Sequence, residues 1–286
     1  MLLAGAGFGL DRAHWLGLGS SPTGCHIAGL PLIWGSASER PSLAQVDAAL
    51  PTISSHGFLA DAERTVTTRG RAARWSHGIE GLGGLDVDWD AQVAAVDPAM
   101  DPAAAREILL GPGLLLLLAT RGIFGLHASA IRIGGRCFVL PAPSGSGKST
   151  VARLAAELGA EALTDDISPL LLHHGALRLR PRFPQLKWDE PLRTPDLDLA
   201  VSTIVFLQRG GEALALEPLA AAEAMRLLIR DTVAARLFPP QLLRAHLEAM
   251  ARFAESVPCR RLHWPEAAPA ALAEQCARAL SLLARV

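Results

Sequence analysis

The sequence predicts an α/β chain in two parts, a β-rich N-terminal lobe over residues 1–104 and an α/β core over residues 105–286. Two observations lead there. In the core, short apolar runs alternate with segments of helical period, and one such pair flanks a glycine-rich turn. In the lobe, long helical patterns are scarce, and short apolar stretches sit between Gly- and Ser-rich ones.

The candidate strands of the lobe are His26–Trp34, Arg64–Trp75 and Leu85–Trp89, with Arg64–Arg71 reading as a strand edge and turn. The lobe carries no catalytic signature, so substrate recognition and a plain structural role both stay open. A helix around Ala103–Leu110 introduces the core. The apolar run Ile108–Thr120 is interrupted by Gly111-Pro112-Gly113, so it reads as a buried helix too short to span a bilayer. Gly125–Ile133 and Cys137–Leu140 read as strands joined by Gly134-Gly135, a hairpin that would either bring His127 beside the loop or leave it as a satisfied core histidine.

That second strand leads into Ala142-Pro143-Ser144-Gly145-Ser146-Gly147-Lys148-Ser149-Thr150, and then into a helical segment, Val151–Leu158, ended by Gly159. Strand, glycine-rich turn and helix make a phosphate-binding loop. Gly145 and Gly147 allow the backbone to curl and turn its N–H groups inward, and the first turn of the helix adds partial positive charge. Lys148, one of only two lysines in the chain with Lys187, is expected to reach the β- and γ-phosphates, and the Ser149 hydroxyl to ligate Mg²⁺. Residues Pro143–Thr150 are thus the candidate cofactor site for ATP. Ala142 replaces the usual first glycine, which an alanine can do where φ is negative.

Glu161–Thr164 reads as a short strand ending in Asp165-Asp166. In a parallel α/β sheet this end would face the ligand crevice beside the loop. One carboxylate could hold Mg²⁺ while the other accepts a proton from an attacking hydroxyl, or either could cap a turn into Ile167-Ser168-Pro169. Pro169–Leu179 suggests a hairpin turning at His173-His174-Gly175. In Leu177–Arg182, arginines at every second residue would share one strand face, either touching phosphates or an acidic peptide, or facing solvent; Lys187 allows the same two readings. Thr203–Leu207 is a core strand, Pro218–Phe238 a helix stopped by Pro239-Pro240, and Gln241–Ala254 a second helix. Arg260–Trp264 is a last strand and Ala270–Leu283 the closing helix.

The stretch Leu109–Trp188 resembles the catalytic domain of HPr kinase/phosphorylase, and more closely the shorter HPr kinase-related proteins. In those a histidine precedes the loop, Gly-Lys-Ser ends it and an Asp-Asp pair comes one helix later, as do His127, Lys148 with Ser149, and Asp165 with Asp166. The resemblance implies a P-loop kinase core of HPr kinase type using ATP and Mg²⁺. Asp166 would be the proton acceptor, Ser149 with Asp165 the metal site, Lys148 the stabiliser of the transferring group, and His127 a support of the catalytic site. It also implies an acceptor serine on a peptide or protein, with a lasso-peptide precursor as the nearest specific case, and a homo-oligomer as an allowed state. The family's second signature, around Glu-Ile-Arg-Gly, is absent; Asp189-Glu190 occupies that region. A small-molecule kinase and a nucleotide-binding regulator are the alternatives.

A net charge of −1 provides no basic excess for nucleic acid. Half of the residues are apolar and 19% charged, as in a folded globular chain. Cys25, Cys137, Cys259 and Cys276 lack metal-ligand spacing and are expected as free thiols in a reducing compartment. With no signal peptide evident, the expected location is the cytoplasm, with no membrane partner.

Overall fold

The computed structural model describes residues 25–27, 30–34, 52–60, 62–97, 99–181, 183, 198–266 and 269–286. Lys187, Arg182 and Asp189-Glu190 lie outside them, as does the side chain of Cys25. The chain forms two compact units, Met1–Arg121 with Ala234–Leu243, and Gly122–Val233 with Arg244–Val286. The division falls after Arg121 instead of after residue 104, because the helical stretch 102–119 packs on the sheet of the first unit.

That sheet has the order β1-β2-β7-β6-β5-β4-β3. Its strands are β1 (Cys25–Ile27), β2 (Leu30–Trp34), β3 (Ile53–Leu59), β4 (Ala62–Arg71), β5 (Arg74–Ile79), β6 (Gly83–Asp88) and β7 (Val93–Val96). Two long strands expected from the sequence are hairpins: His26–Trp34 divides into β1 and β2, and Arg64–Trp75 turns at Ala72 between β4 and β5. Alternation sends Val66 and Thr68 of β4, Trp75, His77 and Ile79 of β5, and Leu85 and Val87 of β6 to one buried face. On that face His77 Nδ1 and Thr68 Oγ1 are hydrogen-bonded across the strands at 2.9 Å. Complete burial lowers the His77 pKa to about 4.

Helix α1 (Pro102–Ile108) is capped by Asp101, whose side chain accepts from the N–H groups of Ala103 and Ala104. It runs through a π-turn (Leu109–Gly113) into α2 (Leu114–Ala119). Pro112 therefore does not end the helix: the wider turn accommodates the ring and the missing N–H. Residues 102–119 form the one helical stretch among those described that is long and apolar enough to cross a membrane, and 78% of it is buried within the structure. At Gly113 a Cβ would lie 3.3 Å from the Ala94 Cβ, so glycine lets the π-turn approach β7 closely.

The second unit has one eight-stranded sheet, in which two long strands each change partners along their length. β8 (Phe124–Ile133) pairs with β11 (Ile167–His173) through its first half, and with β9 (Arg136–Pro141) and β10 (Glu161–Thr164) through its second. β13 (Leu199–Arg209) pairs with β12 (Ala176–Leu179) at its start, then with β9 and β15 (Cys259–Trp264); β14 (Ala215–Pro218) adds to β15. Among the described pairings of this unit, those of β13 with β9 and β15 are the parallel ones. The Asp pair thus ends an antiparallel strand, contrary to the parallel arrangement the sequence suggested. The Gly134-Gly135 turn reverses β8 against β9, and β10 joins the other side of β8, so β9 and β10 run the same way.

Helix α3 (Lys148–Glu157) packs on β8, β10 and α6 (Leu272–Ala284). Ile131, Phe138 and Leu140 from the sheet meet Val151, Ala152 and Ala155 of α3 and Cys276, Ala279 and Leu283 of α6 in one buried cluster. Cys137, Cys259 and Cys276 are buried free thiols, and desolvation pushes their pKa values up to about 12, 11 and 11. The helix expected over Pro218–Phe238 is shorter, α4 (Ala221–Arg230), succeeded by a 3-10 turn at Ala235–Leu237. It stops because the next residues join β8 instead: Asp231 O accepts from the His127 N–H, Thr232 bridges Leu126, and the Val233 N–H donates to Gly125 O. Helix α5 (Pro240–Ser256) comes next.

Candidate active site

Strand β9 delivers the chain into the loop at Pro141, and Gly147, left-handed at φ 93°, starts α3 at Lys148. Gly145 is left-handed too, at φ 75°. A Cβ on either glycine would meet no atom within 4 Å. Their need for glycine is therefore the backbone angle and not the crowding of side chains. Ala142 is fully buried in the core cluster and its φ is not positive, which is the condition under which alanine serves there. The Ser146 N–H donates to Pro143 O at 3.3 Å and tightens the turn. Among the described residues, Ser146 Oγ is a buried hydroxyl with no hydrogen-bond partner, which marks a place for a ligand oxygen.

Lys148 is 5% exposed, and its ammonium donates to Ala142 O at 2.7 Å and Pro143 O at 3.0 Å. The cation is thus held over its own loop. Asp165 is 2% exposed, and its Oδ1 accepts from Ser149 Oγ at 3.0 Å and from Ser129 Oγ at 2.6 Å. Asp166 sits in the left-handed region at φ 71°, a conformation that costs an L residue about 1–2 kcal/mol. The turn aims its carboxylate at His127: Nε2 and Oδ1 are 3.4 Å apart, both side chains about a quarter exposed. Ala128 N–H donates to Asp166 O at 3.2 Å, and Ile167 pairs with His127 in the sheet, so the backbone holds the two together.

The structure therefore gathers all of His127, Lys148, Ser149, Asp165 and Asp166 around the loop. The described members of the arginine stripe, Arg178 and Arg180, are engaged with Asp198. Arg180 makes a two-point pair with Asp198 at 3.0 and 2.9 Å, and Arg178 donates to Asp198 O. His173 and His174 flank the β11–β12 turn with rings 4.1 Å apart.

Two features escaped the sequence reading. Ser129 stands two residues from His127 on the same strand, and that spacing was its available signal. The other is an open pocket of about 360 Å³ lined by Pro143–Ser146, Phe206–Arg209, Leu227, Arg230 and Arg261. Its residues come from four separate segments, and no motif joins them.

Ser149 Oγ and the Asp165 carboxylate are two hard oxygen donors 3.0 Å apart beside the glycine-rich loop. Among the described residues no three His, Cys, Asp or Glu side chains cluster as a complete metal cage. A sparse oxygen set of this kind suits Mg²⁺, which keeps waters and phosphate oxygens as its other ligands.

No family model matches the chain, and no curated protein does. Among solved structures it is similar to the Hpr(Ser) kinase/phosphatase from Coxiella burnetii, at 12% identity over 57% of this chain and 99% of that one, with a TM-score of 0.32.

Proposed function

We propose that this chain is an ATP- and Mg²⁺-dependent kinase that transfers the γ-phosphoryl group to a serine hydroxyl of a peptide or protein. One observation carries the reading: a single acidic turn sets one carboxylate on the loop and its neighbour beside His127. Asp165 is tied to the loop through Ser149 at 3.0 Å, while its neighbour Asp166 faces His127 at 3.4 Å. A nucleotide switch needs the first arrangement; a second carboxylate poised at the mouth of the site suits an acceptor that must lose a proton.

Phosphoryl transfer asks little covalent chemistry of the protein, and positioning with charge neutralisation supplies most of the rate. Lys148 turns from its loop carbonyls to the phosphates and offsets their charge. Ser149 and Asp165 would hold Mg²⁺, which would supply charge neutralisation of the phosphate chain. Asp166, oriented by His127, accepts the hydroxyl proton as the new oxygen–phosphorus bond forms and the bond to ADP breaks. Acceptor recognition is the role proposed for the sheet unit at the N-terminus. A lasso-type precursor is the specific acceptor implied by the sequence resemblance.

The test incubates the full chain with ATP, Mg²⁺ and serine-bearing peptides, lasso-type precursors included, and reads the products by mass spectrometry. One phosphate on a serine is expected. With Asp166→Asn, nucleotide binding should persist while transfer falls by about 10²-fold or more. Lys148→Ala should lose about 10²–10³-fold in turnover. Transfer by Asp166→Asn at the unaltered rate would remove the base assignment. Phosphate appearing only on small hydroxyl compounds, or only as free phosphate, would replace the reading with a small-molecule kinase or a regulator.

A further inference from the structure

The phosphate loop has two flanks with different chemistry. On one, β8 and the turn after β10 carry His127, Asp165 and Asp166. On the other, β9 and β13 run parallel, and the pocket of about 360 Å³ opens where β9 has ended and β13 continues through Phe206 to Arg209. Ligands of α/β folds collect outside the carboxyl ends of parallel strands, and pockets of this size admit one small organic group.

We infer that this pocket holds the nucleoside of the phosphate donor, against an apolar wall formed by Phe206 and Leu227. The inference rests on the reading of the loop as a nucleotide-phosphate cradle. Loop residues Pro143–Ser146 are one wall of the pocket, so a phosphate chain in the loop leads directly into it. The buried Ser146 hydroxyl, without a partner among the described residues, lies at that junction. The opposite flank is where the acceptor must meet Asp166, and one flank cannot seat both groups.

Charge separates a nucleoside from the obvious rival, an acidic segment of a peptide. The pocket contains three arginines, but two are already neutralised. Arg230 makes a two-point pair with Asp231, both contacts 2.8 Å, and Arg261 is paired with Glu217 at 3.1 Å and with Glu223. What these pairs leave is the flat face of a guanidinium, which stacks on a planar ring. Arg209 instead reaches the loop itself, donating to Gly145 O at 3.2 Å, where the phosphate end of the ligand would lie. The wall is thus close to neutral around its apolar part and cationic only beside the loop, the charge pattern of a nucleotide.

Calorimetric titration of the full chain with ATP and with inorganic triphosphate, both with Mg²⁺, tests this. ATP is expected to bind about tenfold tighter or more, a difference of about 1.4 kcal/mol. Filling the pocket from two different elements, with Leu227→Trp and Gln208→Trp, should erase that advantage while triphosphate affinity stays within about twofold, which also reports that both variants fold. Equal binding of ATP and triphosphate by the parent chain, or an advantage that survives both variants, would overturn the pocket assignment and leave the loop reading standing. An acidic peptide whose binding is lost in both variants while the advantage of ATP persists would also overturn it. A chain that binds no triphosphate at all would sink the loop reading first, and the pocket assignment with it.

Discussion

Ser129 offers the sharpest check on how the acidic turn is held. Its hydroxyl is fully buried on β8 and donates to Asp165 Oδ1 at 2.6 Å, a hydrogen bond to a carboxylate that is itself 2% exposed. Ser129→Ala removes one oxygen and leaves no side-chain donor behind. Hydrogen bonds to charged groups contribute about 1.5–3 kcal/mol, against about 0.5–1.5 for neutral pairs. Asp165 keeps its bond from Ser149 at 3.0 Å, so the carboxylate is not orphaned and the lower half of the charged range applies. The expected loss is about 2 kcal/mol. For a cooperative unit of this size that lowers the melting temperature by roughly 4–8 °C. Differential scanning calorimetry of the two proteins reads the shift directly. In an Asp165→Asn background the same substitution should cost only about 1 kcal/mol, because the acceptor has lost its charge. Equal melting temperatures for the parent chain and Ser129→Ala would refute the reasoning, since a buried charged hydrogen bond cannot be removed at no cost.

Gly147→Ala should destabilise by about 1–2 kcal/mol through φ 93° alone, because its Cβ would meet open space; Ala142→Gly, at a site without positive φ, should leave the loop geometry intact. Urea titrations of the two variants would show whether the backbone angle or the space decides. His77 sets an acid limit on the first unit. Its pKa falls from 6.5 in the unfolded chain to about 4 when buried, so the unfolded state alone binds the proton between those values. The contribution is fully present above pH 6.5 and is lost as pH falls toward 4, by about 3 kcal/mol in total. His77→Gln should flatten that part of the stability–pH curve measured by denaturant unfolding; an unchanged slope would show that other groups carry the acid sensitivity.

The stretch from β8 through the turn after β10 was legible residue by residue, because its signals are local. Two glycines make the β8–β9 turn, two more start α3, and apolar runs of strand and helix length lie between them. Where signals were local but ambiguous, the surroundings decided. Gly111-Pro112-Gly113 read as an interruption within a buried helix, and the helical stretch runs through it as a π-turn, since packing against β2, β6 and β7 offsets the poor propensity of that turn. The helix expected to run to Phe238 stops at Arg230 because residues 231–233 find backbone partners on β8 that a helix would deny them. The arginine stripe of β12 was visible as a pattern, but its partner Asp198 is 18 residues from Arg180, too far for any periodicity to reveal.

By itself, then, the sequence determined the glycine-rich loop, its flanking strand and helix, and the grouping of His127, Lys148, Ser149, Asp165 and Asp166 around it. All of them lie within 40 positions, and their spacing is governed by turn chemistry and element length. Only the tertiary structure decided that β10 lies antiparallel on β8. It also decided that Ser129 and Ser149 converge on one oxygen of Asp165, and that Arg209, Arg230 and Arg261 meet beside the loop. Strand order is chosen by which apolar faces can be buried together, a sum over the whole core. No window of sequence contains that sum.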